Sequence, residues 1–171
     1  MALTGRSLRS TVQEDGTLKL SLEPLVIGDL AADDIVVRVE AAPINPSDLG
    51  LLLGPADVSS IRVVGGADGT HLLFDIPEAR RAGLAVRVGK PLAVGNEGAG
   101  TVVAAGADSG DWIGRRVGLI GGGMYADLRK IRTRDALALP DGVTPGQGAA
   151  LTVNPMTALG LDRKSTRLNS S

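Results

Sequence analysis

Cysteine is absent from this sequence, and His71 is its only histidine. Without cysteine the chain can form no disulfide bond and offers no thiolate to a metal ion. Aromatic residues make up only 2% of the chain, so valine, leucine, isoleucine and alanine must build its core. A single tryptophan and a single tyrosine also leave no aromatic platform on which nucleic-acid bases could stack.

An excess of charge and a long apolar run are missing as well. The formal net charge of -1 attracts neither nucleic acid nor an anionic membrane surface. No apolar run approaches the roughly 20 residues of a membrane span. The N-terminal stretch MALTGRSLRS also lacks the apolar segment of a secretion signal. We therefore expect a cytoplasmic protein that binds no nucleic acid and no membrane.

The sequence is rich in hydrophobic residues and in glycine. The 171 residues are 43% hydrophobic, which suffices for one domain, or for one domain and part of another. Alternation of apolar and polar residues predicts strands at 18–25 and 35–44. Shorter strands are predicted within 95–106, 115–120 and 136–139, where glycine turns separate them.

Two segments carry the signals of helix ends. In DIPEARRAGLAVRVGKP, Asp75 is the expected N-cap, Glu78 completes a capping box, and Gly89 ends the helix. TPGQ (144–147) has an N-cap threonine, a proline at the first helical position and a capping-box glutamine. A helix is predicted to start there, and Pro155 is expected to break it.

The stretch VGLIGGGMYA imitates a nucleotide-binding turn. Gly121, Gly123 and Ala126 satisfy the pattern G-x-G-x-x-A, and Asp141 follows near the distance of a ribose-binding acid. However, the span 115–139 is shorter than the roughly 30 residues of a βαβ unit, and no capping signal marks a helix inside it. We therefore predict that these glycines make a tight turn and bind no phosphate.

Three segments, in chain order, carry a resemblance to a known family: VEAAPINPSDLGLLLG (39–54), VGNEGAGTVVAAG (94–106) and LPDGVTPGQGAALTVNPMTALG (139–160). Together they resemble the medium-chain dehydrogenase/reductase superfamily, on its zinc-independent quinone-oxidoreductase and enoyl-reductase branch. The resemblance runs over roughly residues 7–161. It also implies that MYADLRKI (124–131) is a strand and not a helix.

The resemblance implies a mainly β fold with a few helices. Residues 1–143 would form a GroES-like, partly open β-barrel, the catalytic domain. Residues 144–161 would be the first helical segment of a truncated Rossmann cofactor domain, so we expect this fragment to be inactive and to bind NADPH weakly. Residues 162–171 contain RKSTRLNSS, which resembles translated adapter or vector sequence, and are expected to be a non-native or disordered tail.

The resemblance also bears on metal binding. Zinc-dependent members of the superfamily bind the metal through two cysteines and a histidine, and the matching positions here are Asn45, Asn96 and Asn154. Zinc sites are built from thiolate, imidazole and carboxylate groups, so three amides would not hold the ion. We therefore expect no metal. His71 is expected to be structural or exposed and not a ligand.

The expected absence of zinc limits the reactions that such a site could catalyse. Oxidation of an alcohol needs help in removing the hydroxyl proton, which zinc gives as a Lewis acid. A quinone, or a carbonyl conjugated to a C=C bond, takes hydride from a nicotinamide with only hydrogen bonds to the developing negative charge. The resemblance thus implies an NAD(P)H-dependent oxidoreductase that reduces a small-molecule quinone or an activated C=C or carbonyl substrate. NADP(H) is the expected cofactor, with NAD(H) as the alternative.

Four residues are candidates for catalysis. Asn45 could donate to a substrate carbonyl or bond its own turn. Asp48 could orient a neighbour or cap a following helical turn, and capping is favoured. Asn96, beside Glu97, could line the site or fix its loop, and Glu97 could be a buried structural acid. Tyr125, the only phenol, could donate a proton or simply pack.

Asn154 and Thr157 are the candidates for cofactor binding. The resemblance places them at a helix start that borders the nicotinamide, although short polar side chains at such a position can also be plain caps. Two other functions stay open: a zinc-type alcohol dehydrogenase-like enzyme with a rebuilt site, and a non-catalytic GroES-like binding module. A homodimer is a further expectation for the full-length protein.

Overall fold

The computed structural model describes residues 2–66 and 69–168, and it is mainly β with a few helices, as predicted. The ten strands follow the chain as β1 (Thr4–Val12), β2 (Thr17–Val26), β3 (Asp34–Ala41), β4 (Asp57–Val64), β5 (His71–Asp75), β6 (Leu92–Ala93), β7 (Glu97–Ala105), β8 (Arg116–Ile120), β9 (Leu128–Arg132) and β10 (Ala136–Ala138). The helices are α1 (Pro46–Leu53), α2 (Glu78–Arg81), α3 (Pro145–Ala149) and α4 (Val153–Leu168). Short 3-10 helices lie at Ala82–Arg87, Gly110–Trp112 and Thr133–Asp135. One of the two sheets curls into a half-barrel, in agreement with the expected GroES-like fold.

The described chain divides into two compact units. Unit 1 comprises the described residues within 1–28, 44–95 and 123–128, and unit 2 comprises those within 29–43, 96–122 and 129–171. The division does not follow the boundary predicted at residue 143, and that boundary stays a prediction.

Unit 1 contains a five-stranded sheet in the order β4-β5-β2-β1-β6. Strands β1 and β2 pair antiparallel from Thr4 opposite Val26 to Val12 opposite Leu18. Alternate residues of β2 point to one face, so Leu18 and Leu20 enter the core together, as the sequence pattern predicts. The core contains six buried residues: Val12, Leu18, Leu20, Ala56, Phe74 and Ile76.

Unit 2 contains the second sheet, in the order β10-β8-β7-β3-β9. Strand β3 begins with the β-branched run Ile35, Val36 and Val37, and all three side chains are fully buried. Helix α3 begins at the predicted capping box: Thr144 Oγ1 accepts from the Gln147 N–H at 3.3 Å, and the Thr144 N–H donates to Gln147 Oε1 at 3.0 Å.

The helix predicted to start at Asp75 begins later. Asp75 is the last residue of β5, and its carboxylate binds the Arg62 side chain of β4 at 2.8 Å. The carboxylate is thus engaged across the sheet, and the prediction that it caps a helix is wrong. Helix α2 begins at Glu78 instead and continues as a 3-10 helix to Arg87, and Gly89 follows with a φ of 70°.

Two further boundaries differ from the predictions. Strand β3 ends at Ala41, short of the predicted Ile44. The helix that begins at Pro145 stops at Ala149, and Pro155 lies in the first turn of α4. A proline there loses no intrahelical hydrogen bond, so Pro155 is compatible with the start of α4 and does not break a helix.

The glycine-rich stretch is a tight turn, as predicted. Gly121, Gly122 and Gly123 all have positive φ angles, at 122°, 84° and 73°. The chain then enters strand β9 and not the helix that a nucleotide-binding turn requires. The imitation of a dinucleotide motif therefore reflects backbone conformations that favour glycine.

Helix α4 continues to Leu168 and thus into the string predicted to be a tail, while residues 169–171 lie outside the described residues. The non-native origin of that string stays a prediction. Within the described ranges, no helix is both long and apolar enough to cross a membrane.

Replacement of Leu18 by alanine should lower the free energy of unfolding by about 2–5 kcal/mol, because the side chain is fully buried and leaves a cavity. Leu22→Ala is the matched control, since Leu22 lies on the same strand and is 55% exposed. We expect the control to cost less than about 0.5 kcal/mol. Urea unfolding of the two variants checks this, and equal losses would contradict the assigned core.

Candidate active site

The predicted site residues fall into two clusters, one in each unit. Asn45, Asp48 and Tyr125 belong to unit 1, and Asn96, Asn154 and Thr157 belong to unit 2.

The unit 1 cluster begins at the start of α1. Asn45 is the N-cap residue with an extended backbone, and Pro46 follows as the first helical residue, where its missing N–H is not needed. Asp48 Oδ2 accepts from the Asn45 backbone N–H at 2.9 Å, and Asp48 is only 1% exposed. Asp48 therefore caps the helix, the role that the sequence favours. The positive end of the helix dipole also stabilises its carboxylate.

Tyr125 is fixed by its own backbone. Its N–H donates to the Val94 carbonyl at 3.0 Å, and its carbonyl accepts from the Leu8 N–H at 2.8 Å. Its ring packs on Gly95, where a Cβ atom would lie 2.8 Å from the ring Cδ1 and where φ is 99°. Only glycine suits that position, so the backbone at Gly95 contributes to the placement of the phenol.

The phenol and the buried carboxylate interact directly. Burial is the main cause that raises the pKa of Tyr125 to about 12, and the charge of Asp48 and a hydrogen bond to that carboxylate raise it further. Tyr125 is therefore a neutral hydroxyl throughout the physiological range, and its proton is donated in a hydrogen bond to the Asp48 carboxylate. Asn45 is buried at this helix start too, and its donation to a substrate stays a prediction.

In unit 2, Glu97 holds the start of α4. Glu97 is the first residue of β7 and is fully buried. Its Oε2 accepts three hydrogen bonds: from Thr152 Oγ1 at 2.7 Å, from the Thr152 N–H at 3.2 Å and from the Val153 N–H at 2.7 Å. A carboxylate on a strand thus accepts hydrogen bonds from N–H groups at the helix start that have no acceptor within the helix. Glu97 is thus a buried, hydrogen-bonded structural acid, as the sequence suggested.

The remaining candidates lie next to Glu97 in the chain or on α4: Asn96 precedes Glu97, and Asn154 and Thr157 belong to the helix. The Asn96 carbonyl accepts from the Gly121 and Gly122 N–H groups at 3.2 and 3.4 Å, so Asn96 helps to fix the glycine turn. Asn154 and Thr157 are exposed on α4, three residues apart and therefore on one face. Thr157 Oγ1 donates to the Val153 carbonyl at 2.8 Å, which leaves its lone pairs able to accept.

The donor set does not fit zinc. The three positions that match zinc ligands in the resembled family hold amides, which are poor ligands for this ion. Among the side chains that the structure describes, no group of three or more His, Asp or Glu residues could hold a metal ion. Independence from zinc stays a prediction about the reaction.

Titration of Tyr125 can be followed alone, because it is the only tyrosine. The near-ultraviolet absorbance should show a midpoint near pH 12 in the folded chain, above the ordinary value of 10. Asp48→Asn should lower that midpoint without restoring 10, since burial remains. The raised pKa contributes stability that is complete below about pH 10 and is lost as the pH rises toward 12. A midpoint at 10, with circular dichroism showing a folded chain, would contradict the contact.

Glu97→Ala should loosen the start of α4, since it removes the acceptor of three hydrogen bonds. We expect faster hydrogen exchange at the Thr152 and Val153 amides and a loss of about 1–3 kcal/mol in unfolding free energy. Glu40→Ala is the control in the same unit, because Glu40 is exposed and its carboxylate accepts from the Thr101 hydroxyl at 2.7 Å, away from the start of α4. Unchanged exchange in Glu97→Ala would argue against the cap.

Comparisons with known proteins place this geometry in a family. A family model described as the alcohol dehydrogenase GroES-like domain matches residues 31–141. No curated protein sequence matches the chain closely enough to count as a relative.

Solved structures share the fold. A protein described as an NADPH:quinone reductase from Bacillus thuringiensis is 24% identical with a TM-score of 0.61, and the match covers 92% of this chain and 40% of that one. The CurK enoyl reductase is 18% identical with a TM-score of 0.62, and coverage is 90% and 41%. Etr1p in complex with NADP and crotonyl-CoA is 22% identical with a TM-score of 0.59, and coverage is 92% and 42%. This chain therefore spans well under half the length of each of these structures.

The family model covers more than half of the sequence, and the shared fold agrees with it. The chain belongs to the alcohol dehydrogenase GroES-like domain family of the medium-chain dehydrogenase/reductase superfamily.

Proposed function

We propose that this chain carries the catalytic domain of an NADPH-dependent, zinc-independent reductase of quinones or of C=C bonds conjugated to a carbonyl. The observation that carries the proposal is the neutral Tyr125 hydroxyl held against the buried Asp48 carboxylate. The names of the structures that share its fold, an NADPH:quinone reductase and an enoyl reductase, support this substrate class.

The proposal assigns Tyr125 the role of proton donor. Addition of hydride to a conjugated C=C bond or to a quinone leaves negative charge on the substrate, and a positioned phenol can stabilise that charge or protonate it. A pKa raised to about 12 makes the phenol a weaker acid than an ordinary tyrosine, so it would give its proton only to a strongly basic centre, such as the enolate that hydride addition leaves. Asp48 acts as a positioning residue, because it accepts from the phenol and is itself fixed by the Asn45 N–H.

Asn154 and Thr157 would hold the cofactor in unit 2. A nicotinamide carboxamide needs both a donor and an acceptor, and an amide and a hydroxyl on one exposed helix face supply both. When bound, the nicotinamide supplies the hydride. NADPH is preferred over NADH in the proposal because the Etr1p complex that shares the fold contains NADP. We further propose that a longer chain, of which these residues are a part, supplies the rest of the cofactor domain.

The discriminating experiment uses the complete protein to which this chain belongs. NADPH oxidation is followed with a benzoquinone and with a 2-alkenone, NADP+ reduction is followed with a primary alcohol, and the metal content is measured. We expect reduction of the first two classes without stoichiometric zinc and without inhibition by a chelator. Activity confined to alcohol oxidation with bound zinc would favour the rebuilt alcohol dehydrogenase. Absence of any reductase activity in a folded protein that forms a ring or a tight complex would favour the binding module.

Tyr125→Phe should lower kcat for alkenone reduction by about 10²–10⁴-fold, since it removes the proposed proton donor. KM should change little, because the ring and its packing on Gly95 remain. Trp112→Phe is the aromatic control and should retain activity, since Trp112 lies in a 3-10 helix of unit 2. Wild-type kcat in Tyr125→Phe, with reductase activity otherwise intact, would overturn the role of Tyr125 but not the function.

A further inference from the structure

A group of cations lines a pocket at one edge of the unit 2 sheet. Strand β9 is an edge strand, and it supplies Arg129, Lys130 and Arg132, with Arg134 in the turn that follows. The pocket has a volume of about 470 Å³ and contains these four cations against two acids, Asp34 and Asp135. Its lining therefore has an excess of positive charge, although the chain as a whole has a formal net charge of -1.

The acids near this pocket do not saturate the cations. Arg132 Nε lies 3.9 Å from Asp33 Oδ2, and Arg134 Nε lies 4.0 Å from Asp135 Oδ2. Both separations exceed a hydrogen bond. By contrast, Arg115 reaches its partner Asp111 at 2.9 Å elsewhere in the same unit. The donors of the two pocket guanidinium groups are thus available to a ligand with better geometry.

The acid in the pocket wall is already compensated. Asp34 is only 8% exposed and accepts from the Ala31 N–H at 2.9 Å. Lys130 Nζ lies 3.9 Å from it and donates to the Asp29 carbonyl at 3.1 Å. Asp34 and Lys130 therefore form a nearly neutral part of the wall, and Arg132 and Arg134 provide the exposed positive charge.

We propose that this pocket binds a diphosphate group. Guanidinium groups match phosphate oxygens with paired N–H donors, and more than one arginine suits a ligand that carries more than one charge. Side chains and not the glycine turn make the site, because the Gly121 and Gly122 N–H groups already donate to the Asn96 carbonyl. The inference is independent of the proposed reductase activity.

Charged residues on an edge strand also prevent sheets from pairing edge to edge. That role requires only charges directed to solvent. It does not predict a saturable affinity for one kind of anion, so a binding measurement separates the two explanations.

The test is calorimetric titration of the chain with inorganic pyrophosphate at low ionic strength. We expect saturable binding at one site that weakens as salt is added. The double variant Arg132→Gln, Arg134→Gln should lower the affinity by about tenfold or more. Both side chains are at least half exposed, so the fold should be retained. Arg115→Gln is the control and should bind as the wild type does.

The source of the diphosphate is distinguished by titration with ADP. Tighter binding of ADP than of pyrophosphate identifies a nucleotide as the ligand, and equal affinity identifies the diphosphate alone. No saturable binding of pyrophosphate by the wild type, or equal binding by the double variant, would overturn the proposal.

Discussion

Each unit of this chain depends on a buried carboxylate at the start of a helix. Asp48 is 1% exposed and Glu97 is fully buried, yet each accepts backbone N–H groups that a helix start would otherwise leave unpaired. Burial of a charge is costly unless hydrogen bonds and nearby dipoles offset it, and a helix N-terminus supplies both. The carboxylates therefore fix where α1 and α4 begin, and with them the side chains that those helices present.

The proposed chemistry depends on Asp48. Because this carboxylate is held by its own helix, it has a fixed position from which to accept the Tyr125 hydroxyl. The main chain of Tyr125 is fixed as well, by its hydrogen bonds with Val94 and Leu8. A neutral donor whose position is fixed in this way can stabilise negative charge that develops on a substrate, since the donor needs little reorganisation during the reaction.

Local patterns in the sequence were sufficient where the structure is local. The alternation in β2, the capping box at Thr144 and the glycine turn at 121–123 are confirmed, because each depends on neighbours in the chain. Strand β1 was not predicted, because its polar residues give no apolar alternation. Ser7, Ser10 and Thr11 are nevertheless buried in a strand that pairs on both sides. The prediction that Asp75 caps a helix failed because its partner Arg62 lies on another strand, and a local pattern cannot reveal that contact. The contact of Asp48 with Tyr125 joins residues far apart in the sequence, and no local pattern announces it.

The central claim is that Tyr125 delivers a proton during reduction. The most direct measurement is the solvent deuterium isotope effect on alkenone reduction by the complete protein at saturating NADPH, compared between the wild type and Tyr125→Phe. We expect a normal isotope effect on kcat in the wild type and its loss or marked change in the variant, where water must supply the proton. An identical isotope effect and an identical rate in both proteins would contradict it.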